Sequence, residues 1–412
     1  MEQKTKVVMV GSAGFATHYL DMLLDQADPE LFELMAIVDP YVQKAPKYQR
    51  LVEMKIPFYD TLEEFYQHHT ADLALIATPI KFHKQQSITA MEHSSDVLCE
   101  KPLVTDLDDI PEIREAVRRT GKQLAVGFQW SFSPALLRLK RDIIDGVFGK
   151  PVLFQNFTIY TRYDRYYARN NWAGKLYDGA GDLILDSIAT NATAHFLHNI
   201  FFMLGKDIPS SAMPVRMEAS LYRANPVETF DTAFLSGEFA DGCRFQYVTS
   251  HCSDFNRYPI LRYELEKAVI TYDANAETPC IEAHFRDGRV ISYGRPDDTT
   301  AGYDEKLYFM LTNRENKLPI PCTQETVVPH LTVCDALFDH VPVREFPREL
   351  LYRKADQSGG MGTFVKDLYP QMWSCFEKNI SPYEAGFDWA VQPTQVELTG
   401  YHHLKLPRRR EG

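Results

Sequence analysis

Residues 5 to about 127 alternate short, continuously apolar runs with amphipathic segments of helical period, and few architectures tolerate that alternation. The apolar runs are VVMVG (7–11), LMAIVD (34–39), LALIATP (73–79), VLCE (97–100) and LAVGF (124–128). Between them lie FATHYLDMLLDQ (15–26), LEEFYQHH (62–69) and IPEIREAVRRT (110–120). A strand that is apolar on both sides must be covered on both faces, and parallel strands joined by helices provide that cover. The pattern predicts an α/β domain over residues 1–128, built on a doubly wound parallel sheet.

Past about residue 150 the texture becomes alternating. FLSGEFADGCRFQYVTSH (234–251) and CIEAHFRDGRVISYG (280–294) each carry a central Asp-Gly, Asp241-Gly242 and Asp287-Gly288, suited to the positive φ of tight hairpins. RYELEKAVITY (262–272) reads as a further strand pair, and a late helix is expected near 363–378. Residues 129–412 therefore read as an α+β domain on a large, mostly antiparallel sheet. Two domains suit a length of 412 residues.

Charge and cysteine usage exclude several classes. The net charge of −12 argues against a nucleic-acid partner, whose phosphates need a basic surface; the run Arg408, Arg409 and Arg410 reads as a solvated tail. Seven scattered cysteines without a C-x-x-C pair give neither a zinc-ribbon pattern nor a disulfide framework, and suit a reducing cytoplasm. Lys4 and Lys6 precede an apolar run too short for a signal segment, and no stretch approaches the ~20 apolar residues of a membrane helix, so no membrane partner is expected.

The first strand runs directly into Gly11-Ser12-Ala13-Gly14-Phe15-Ala16, which opens the first helix. In the G-x-G-x-x-G logic of Rossmann domains, the first glycine makes the tight turn and the second admits a pyrophosphate. Here Ala13 and Ala16 stand at the second and third glycine positions, with Gly14 between them. Asp39 closes the second strand, 28 residues past Gly11, where a carboxylate accepts hydrogen bonds from ribose hydroxyls and repels a 2′-phosphate. Pro40 and Tyr41 follow it rather than a basic residue, which favours NAD over NADP. A purely structural glycine turn is the competing reading.

Three further elements are ATPIKFH (77–83), CEKP (99–102) and GFQWSFSPALLRLKRDIIDGVFGKPV (127–152). In this order they resemble the glucose–fructose oxidoreductase / inositol dehydrogenase / rhizopine-catabolism (Gfo/Idh/MocA) family, over 6–152 and more loosely to about 205. The resemblance implies an oxidoreductase acting on a hydroxyl or carbonyl carbon of a sugar, polyol or cyclitol. It also implies a C-terminal sheet that makes homo-oligomer contacts, in a dimer or tetramer. Thr78, Pro79 and His83 would line the ribose on the nicotinamide side, Glu100 and Lys101 would face the reacting carbon, and Gln129 would lie near the domain junction. The family's D-x-G-x-H-x-x-D element corresponds to Asn191-Ala192-Thr193-Ala194-His195-Phe196-Leu197-His198, ahead of Leu204-Gly205. His195 matches the family histidine, while Asn191, Thr193 and His198 depart from the pattern; Asp186 is an upstream candidate to replace the missing acid.

These residues permit specific chemistry. Lys101, at the carboxyl edge of a strand, can fix the reacting oxygen, with proton transfer as a second role. His195 is the candidate acid or base, and Asn191, four residues earlier on an expected common helix face, its orienter. His198 reads as a polar core-edge residue and His330 as a pocket histidine. A zinc site would need a third ligand that the sequence does not locate, so no metal is assigned. Tyr166, Tyr167, Asn171 and Trp172 combine aromatic faces with polar groups, as sugar binding requires; a subunit interface would use the same types. Against a dehydrogenase stand two competitors: an NAD-dependent glycoside hydrolase that oxidises its sugar transiently, and a non-catalytic dinucleotide sensor.

Overall fold

A computed structural model describes residues 4–26, 28–297, 304–316 and 318–408, the side chains of 314–316 excepted. Arg409 and Arg410 of the basic run lie outside the described residues; Arg408 accepts a hydrogen bond from Leu183 N through its carbonyl (3.0 Å). The chain divides into two compact units, residues 1–133 with 297–327, and residues 134–296 with 328–412.

In the first unit, β1 (Thr5–Val10), β2 (Phe32–Val38), β3 (Phe58–Tyr59), β4 (Leu73–Ile76), β5 (Asp96–Cys99) and β6 (Leu124–Val126) form a parallel sheet in the order β3-β2-β1-β4-β5-β6. The order reverses between β1 and β4, the switch point at which open α/β sheets bind ligands. The apolar runs explain the burial: Val7 to Val10 and Ala74 to Ile76 are inaccessible to solvent. Helices Ala16–Asp21, Leu62–His68 and Ile110–Thr120 are those that the amphipathic segments imply, with Thr61 capping the second and Gly121 ending the last at φ 66, and helix His83–Glu92 joins β4 to β5. The later segment is bound in through Val126 N to Cys322 O (2.9 Å), Thr5 Oγ1 to Leu311 O (3.3 Å) and Trp130 Nε1 to Asp297 Oδ1 (2.7 Å).

Strands of the second unit are β7 (Pro151–Ile159), β8 (Pro214–Arg223), β9 (Thr232–Phe239), β10 (Arg244–Ser250), β11 (Arg257–Leu265), β12 (Ala268–Asp273), β13 (Ile281–Phe285), β14 (Val290–Gly294), β15 (Val343–Glu345), β16 (Leu351–Ala355), β17 (Met361–Val365) and β18 (Thr394–Glu397). Among the described residues, ten of them form one sheet, β14-β13-β12-β11-β7-β10-β9-β8-β15, with β18 also on β8; β7–β10 and β8–β15 pair in parallel and the rest antiparallel. Gly242 (φ 84) and Gly288 (φ 89) turn the β9–β10 and β13–β14 hairpins.

Period-two alternation sends neighbouring side chains to opposite faces. Phe245 and Tyr247 meet helix Ala194–Met203 and the turn before it, through Phe201 and Thr193. Phe157 meets Trp373 (5.3 Å) and Phe376 (5.5 Å) of helix Leu368–Lys378. Buried Gln155 and Gln246 donate to the carbonyls of Phe376 (2.8 Å) and Cys375 (3.1 Å), satisfying the helix's C-terminal end. This helix is shorter than the expected 363–378. Thr363, Phe364 and Val365 belong to β17, paired with β16, and Asp367 at φ 54 breaks the chain before Leu368.

Phe157 is fully buried between two aromatic neighbours of that helix, so Phe157→Ala is expected to destabilise the second unit by roughly 3–5 kcal/mol. Urea unfolding followed by tryptophan fluorescence measures it. A loss below about 1 kcal/mol would mean that the helix does not depend on this packing.

Candidate active site

The glycine turn leaves β1 with Gly11 at φ 97, a conformation that disfavours any side chain, and an added Cβ would stand 2.9 Å from Ala77 O. Gly11 thus brings the first turn against the end of β4, beside Thr78. Gly14 (φ 61) faces open space, Ala13 and Phe15 are exposed, and Ala16 is buried where the helix packs on the sheet. The amides of Ala16, Thr17 and His18 turn back onto the carbonyls of Ala13, Gly14 and Phe15. Asp39 reaches across from β2: its carboxylate accepts from Ser12 Oγ (2.5 Å) and Tyr41 N (2.8 Å). A tight turn, an uncovered approach at Gly14 and a carboxylate at the next strand end fit a dinucleotide.

At the end of β5, Glu100 is buried and ion-paired with Lys306 (2.8 Å), whose ammonium is inaccessible to solvent and also meets Asp304 (3.2 Å). Tyr19 OH donates to Glu100 (2.7 Å), and Lys101 N reaches the other carboxylate oxygen (3.2 Å). Burial works against the Lys306 charge, but Glu100 and Asp304 outweigh it and its pKa rises. Burial likewise opposes ionisation of Asp304, and Lys306 reverses the balance and lowers its pKa. For Tyr19, burial and then the Glu100 charge push the phenol well up. Any Cβ at Gly127 would stand 2.7 Å from Glu100 Oε1, so that glycine is the space the carboxylate occupies. Glu100 therefore acts as a buried anchor behind Lys101, and no sequence motif marks its partner Lys306 or Asp304, the second carboxylate on that lysine.

Thr78 is half-buried with Oγ1 donating to Gln86 (2.6 Å), Pro79 is exposed, and Gln129 is half-buried at the start of a turn. His83 opens helix His83–Glu92. It is buried, with Nδ1 2.8 Å from Pro102 O and Nε2 2.7 Å from Thr78 O, so it braces the loop after β4 against the loop after β5. Burial lowers its pKa.

The second unit holds the other candidates. Helix Ala194–Met203 starts too late to include Asn191, which sits in the preceding turn Ile188–Ala192; Thr193 (φ −118, ψ 13) interrupts the path, its Oγ1 held by Ile188 O (2.7 Å). The expected common helix face of Asn191, His195 and His198 is therefore not formed. Asn191 Nδ2 instead donates to Asp186 (2.7 Å), whose other oxygen accepts from Gly174 N (2.6 Å). The carboxylate that position 191 lacks stands one hydrogen bond behind it. His195 is half-buried at the helix start. His198 is fully buried; burial, then His330 and Lys140, push its pKa well down. His330 is buried against Ala189 O (3.1 Å). Tyr167 ends the short helix Asp164–Tyr167, and Asn171 and Trp172 follow in a loop whose Trp172 N donates to Asn170 (3.1 Å). Among the described residues, no cluster of three or more His, Cys, Asp or Glu side chains could hold a metal ion, and no helix is long and apolar enough to cross a membrane.

Sheet order, glycine turn and strand-end acid define the first unit as a dinucleotide-binding Rossmann domain. Residues 5–128 match the sequence model of the Gfo/Idh/MocA group, described as an oxidoreductase family with an NAD-binding Rossmann fold. Over 315 residues the chain is 25% identical to the scyllo-inositol 2-dehydrogenase (NADP(+)) IolU of Bacillus subtilis (strain 168), covering 75% of this chain and 90% of that protein. It is 27% identical over 161 residues to the scyllo-inositol 2-dehydrogenase (NAD(+)) of the same organism, covering 38% of this chain and 45%, less than half, of the relative. In fold it is similar to the WlbA dehydrogenase from Bordetella pertussis, solved with NADH and UDP-GlcNAcA: TM-score 0.62, 18% identity, 82% of this chain and 96% of the other.

Removing one member of the buried pair leaves an uncompensated charge. Lys306→Met is expected to cost the first unit on the order of 3–5 kcal/mol, and Glu100→Gln in the same chain to recover part of it. Thermal unfolding of the single and double variants measures both. A single variant as stable as the parent would mean that the pair does not hold the segment in place.

Proposed function

We propose that the chain is an NAD-dependent oxidoreductase that moves a hydride between nicotinamide and a hydroxyl or carbonyl carbon of a sugar, polyol or cyclitol. The observation that carries the reading is the Gly11 turn set beneath the Asp39 carboxylate at the sheet's switch point. Bound NAD would supply the hydride acceptor. The exposed turn at Ala13–Phe15 would hold its pyrophosphate, and Asp39 its adenosine ribose. Lys101, at the edge of β5, suits fixing the reacting oxygen, with its main chain steadied by Glu100. His195 suits proton exchange with the substrate hydroxyl, and the Asp186–Asn191 pair suits orienting the turn that precedes it. Inositol dehydrogenation by the two similar Bacillus proteins supports the substrate class. A homo-oligomer joined through the sheet of the second unit, in the cytoplasm, completes the proposal.

The similar Bacillus enzymes carry both coenzyme names, so coenzyme choice rests on Asp39. Calorimetric titration is expected to show NAD tighter than NADP by tenfold or more, about 1.4 kcal/mol, with the difference largely erased in Asp39→Ala. Equal affinities in the parent protein would contradict this.

Activity is tested by NADH absorbance against a panel of sugars, polyols and cyclitols; net NADH separates a dehydrogenase from a hydrolase that regenerates its NAD. With a substrate in hand, Lys101→Ala is expected to spare NAD binding and reduce turnover by ~10²–10³-fold, the usual effect of losing one pre-organised donor. Lys101→Arg is expected to rescue little, since a planar fork cannot take the place of an ammonium. Near-normal turnover in the alanine variant would move the chemistry to another residue.

A further inference from the structure

On the second unit, aromatic rings and two arginines gather beside the start of helix Ala194–Met203. Tyr160 packs 6.0 Å from Phe196, the residue after His195. The Arg162 guanidinium lies 4.6 Å from the Tyr166 ring centre and 5.5 Å from that of Tyr160; Arg169 lies 3.6 Å from Tyr166 and 5.3 Å from Trp172. Buried His251 packs 5.8 Å from Tyr166 and holds Tyr160 O with Nδ1 (2.6 Å). Burial, together with the Arg162 and Arg169 charges, pushes its pKa down to about 3, so at neutral pH it adds no charge.

Neither guanidinium meets a carboxylate among the described residues. Arg162 donates to Thr161 O (3.2 Å) and Arg169 to Tyr166 O (2.8 Å), and Arg162 Nε is buried without an acceptor. Neighbouring carboxylates are engaged elsewhere: Asp164 with Arg353, Asp356 with Arg165, Asp254 with Lys354, and Asp231 with the amides of Ala224 and Asn225. The Tyr167 hydroxyl is also buried without a partner, and burial and then the Asp231 charge push its pKa well up. Arg169 is exposed and Arg162 half-buried, so the cost falls on the Arg162 Nε, a buried donor without an acceptor that stacking on a ring compensates only in part. Guanidinium groups match oxyanions in a bidentate manner, and the rings of Tyr160, Tyr166 and Trp172 hold the two groups beside one another.

We propose that the substrate is an acidic sugar or polyol, whose carboxylate or phosphoryl oxyanion is held by Arg162 and Arg169. This rests on the oxidoreductase reading and narrows its substrate class. The test is calorimetric titration of the NAD-loaded protein with D-glucuronate, D-glucose 6-phosphate and D-glucose. At least one anion is expected to bind tenfold or more tighter than glucose, and Arg162→Gln and Arg169→Gln each to reduce that affinity tenfold or more. Glucuronate ahead of the 6-phosphate identifies a carboxylate; the reverse order identifies a phosphoryl group. Glucose binding as tightly as both anions overturns the proposal, as does anion affinity unchanged in both variants. Failure of both anions to bind while NAD still binds also overturns it, and leaves the dinucleotide reading standing. Variants that alter only the sedimentation of the protein overturn it too, by making the cluster a subunit contact.

Discussion

The ion pair between Glu100 and Lys306 is the contact on which the first unit's organisation turns. A carboxylate at the end of a parallel strand, with its side chain inside the fold, is tolerable only if a cation and hydrogen-bond donors surround it. Lys306, Tyr19 and the Lys101 amide supply that shell, and Lys306 arrives from a segment some two hundred residues downstream. The pair therefore does two things at once. It binds helix Glu305–Asn316 to the sheet, and it fixes the main chain from which the Lys101 side chain departs. Gly127 completes the arrangement by leaving room where any side chain would collide with the carboxylate.

The legibility of the fold follows the range of its interactions. The parallel sheet is readable because burial on both faces imposes continuous apolar runs, and VVMVG and LALIATP carry that imprint locally. The hairpins at Asp241-Gly242 and Asp287-Gly288 are readable because positive φ has a chemical signature. The return of 297–327 to the first unit has no such signature: it depends on Lys306 meeting Glu100, and a lysine within a helix looks like a surface residue until its partner is known. Helical spacing alone also fails at Asn191. The i, i+4, i+7 interval to His195 and His198 presumes an unbroken helix, whereas Thr193 leaves the helical path to bond Ile188 O. The late helix is shorter than expected because a β-branched and aromatic run, Thr363 to Val365, pairs with β16 before it.

The candidate site divides in the same way. The glycine turn and Asp39 stand at the ends of adjacent strands, so one-dimensional spacing translates directly into proximity. Arg162 and Arg169 belong to no sequence motif; their lack of a carboxylate partner emerges once Asp164, Asp356 and Asp254 are seen to be taken by other cations. His83 sets both ring nitrogens against the carbonyls of Thr78 and Pro102, and His330 sets Nε2 beside Ala189 O, contacts that local sequence does not announce.

The dinucleotide site is the feature on which every proposed role of this chain depends. Gly14 offers a direct probe, because a side chain there meets nothing within 4 Å and Asp tolerates its positive φ, while a new carboxylate would face the pyrophosphate. Calorimetric titration of the parent protein with NAD is expected to give one site per chain, and Gly14→Asp, folded by circular dichroism, is expected to weaken it at least tenfold. A parent protein that binds no NAD, or a variant that binds it equally well, would contradict the account.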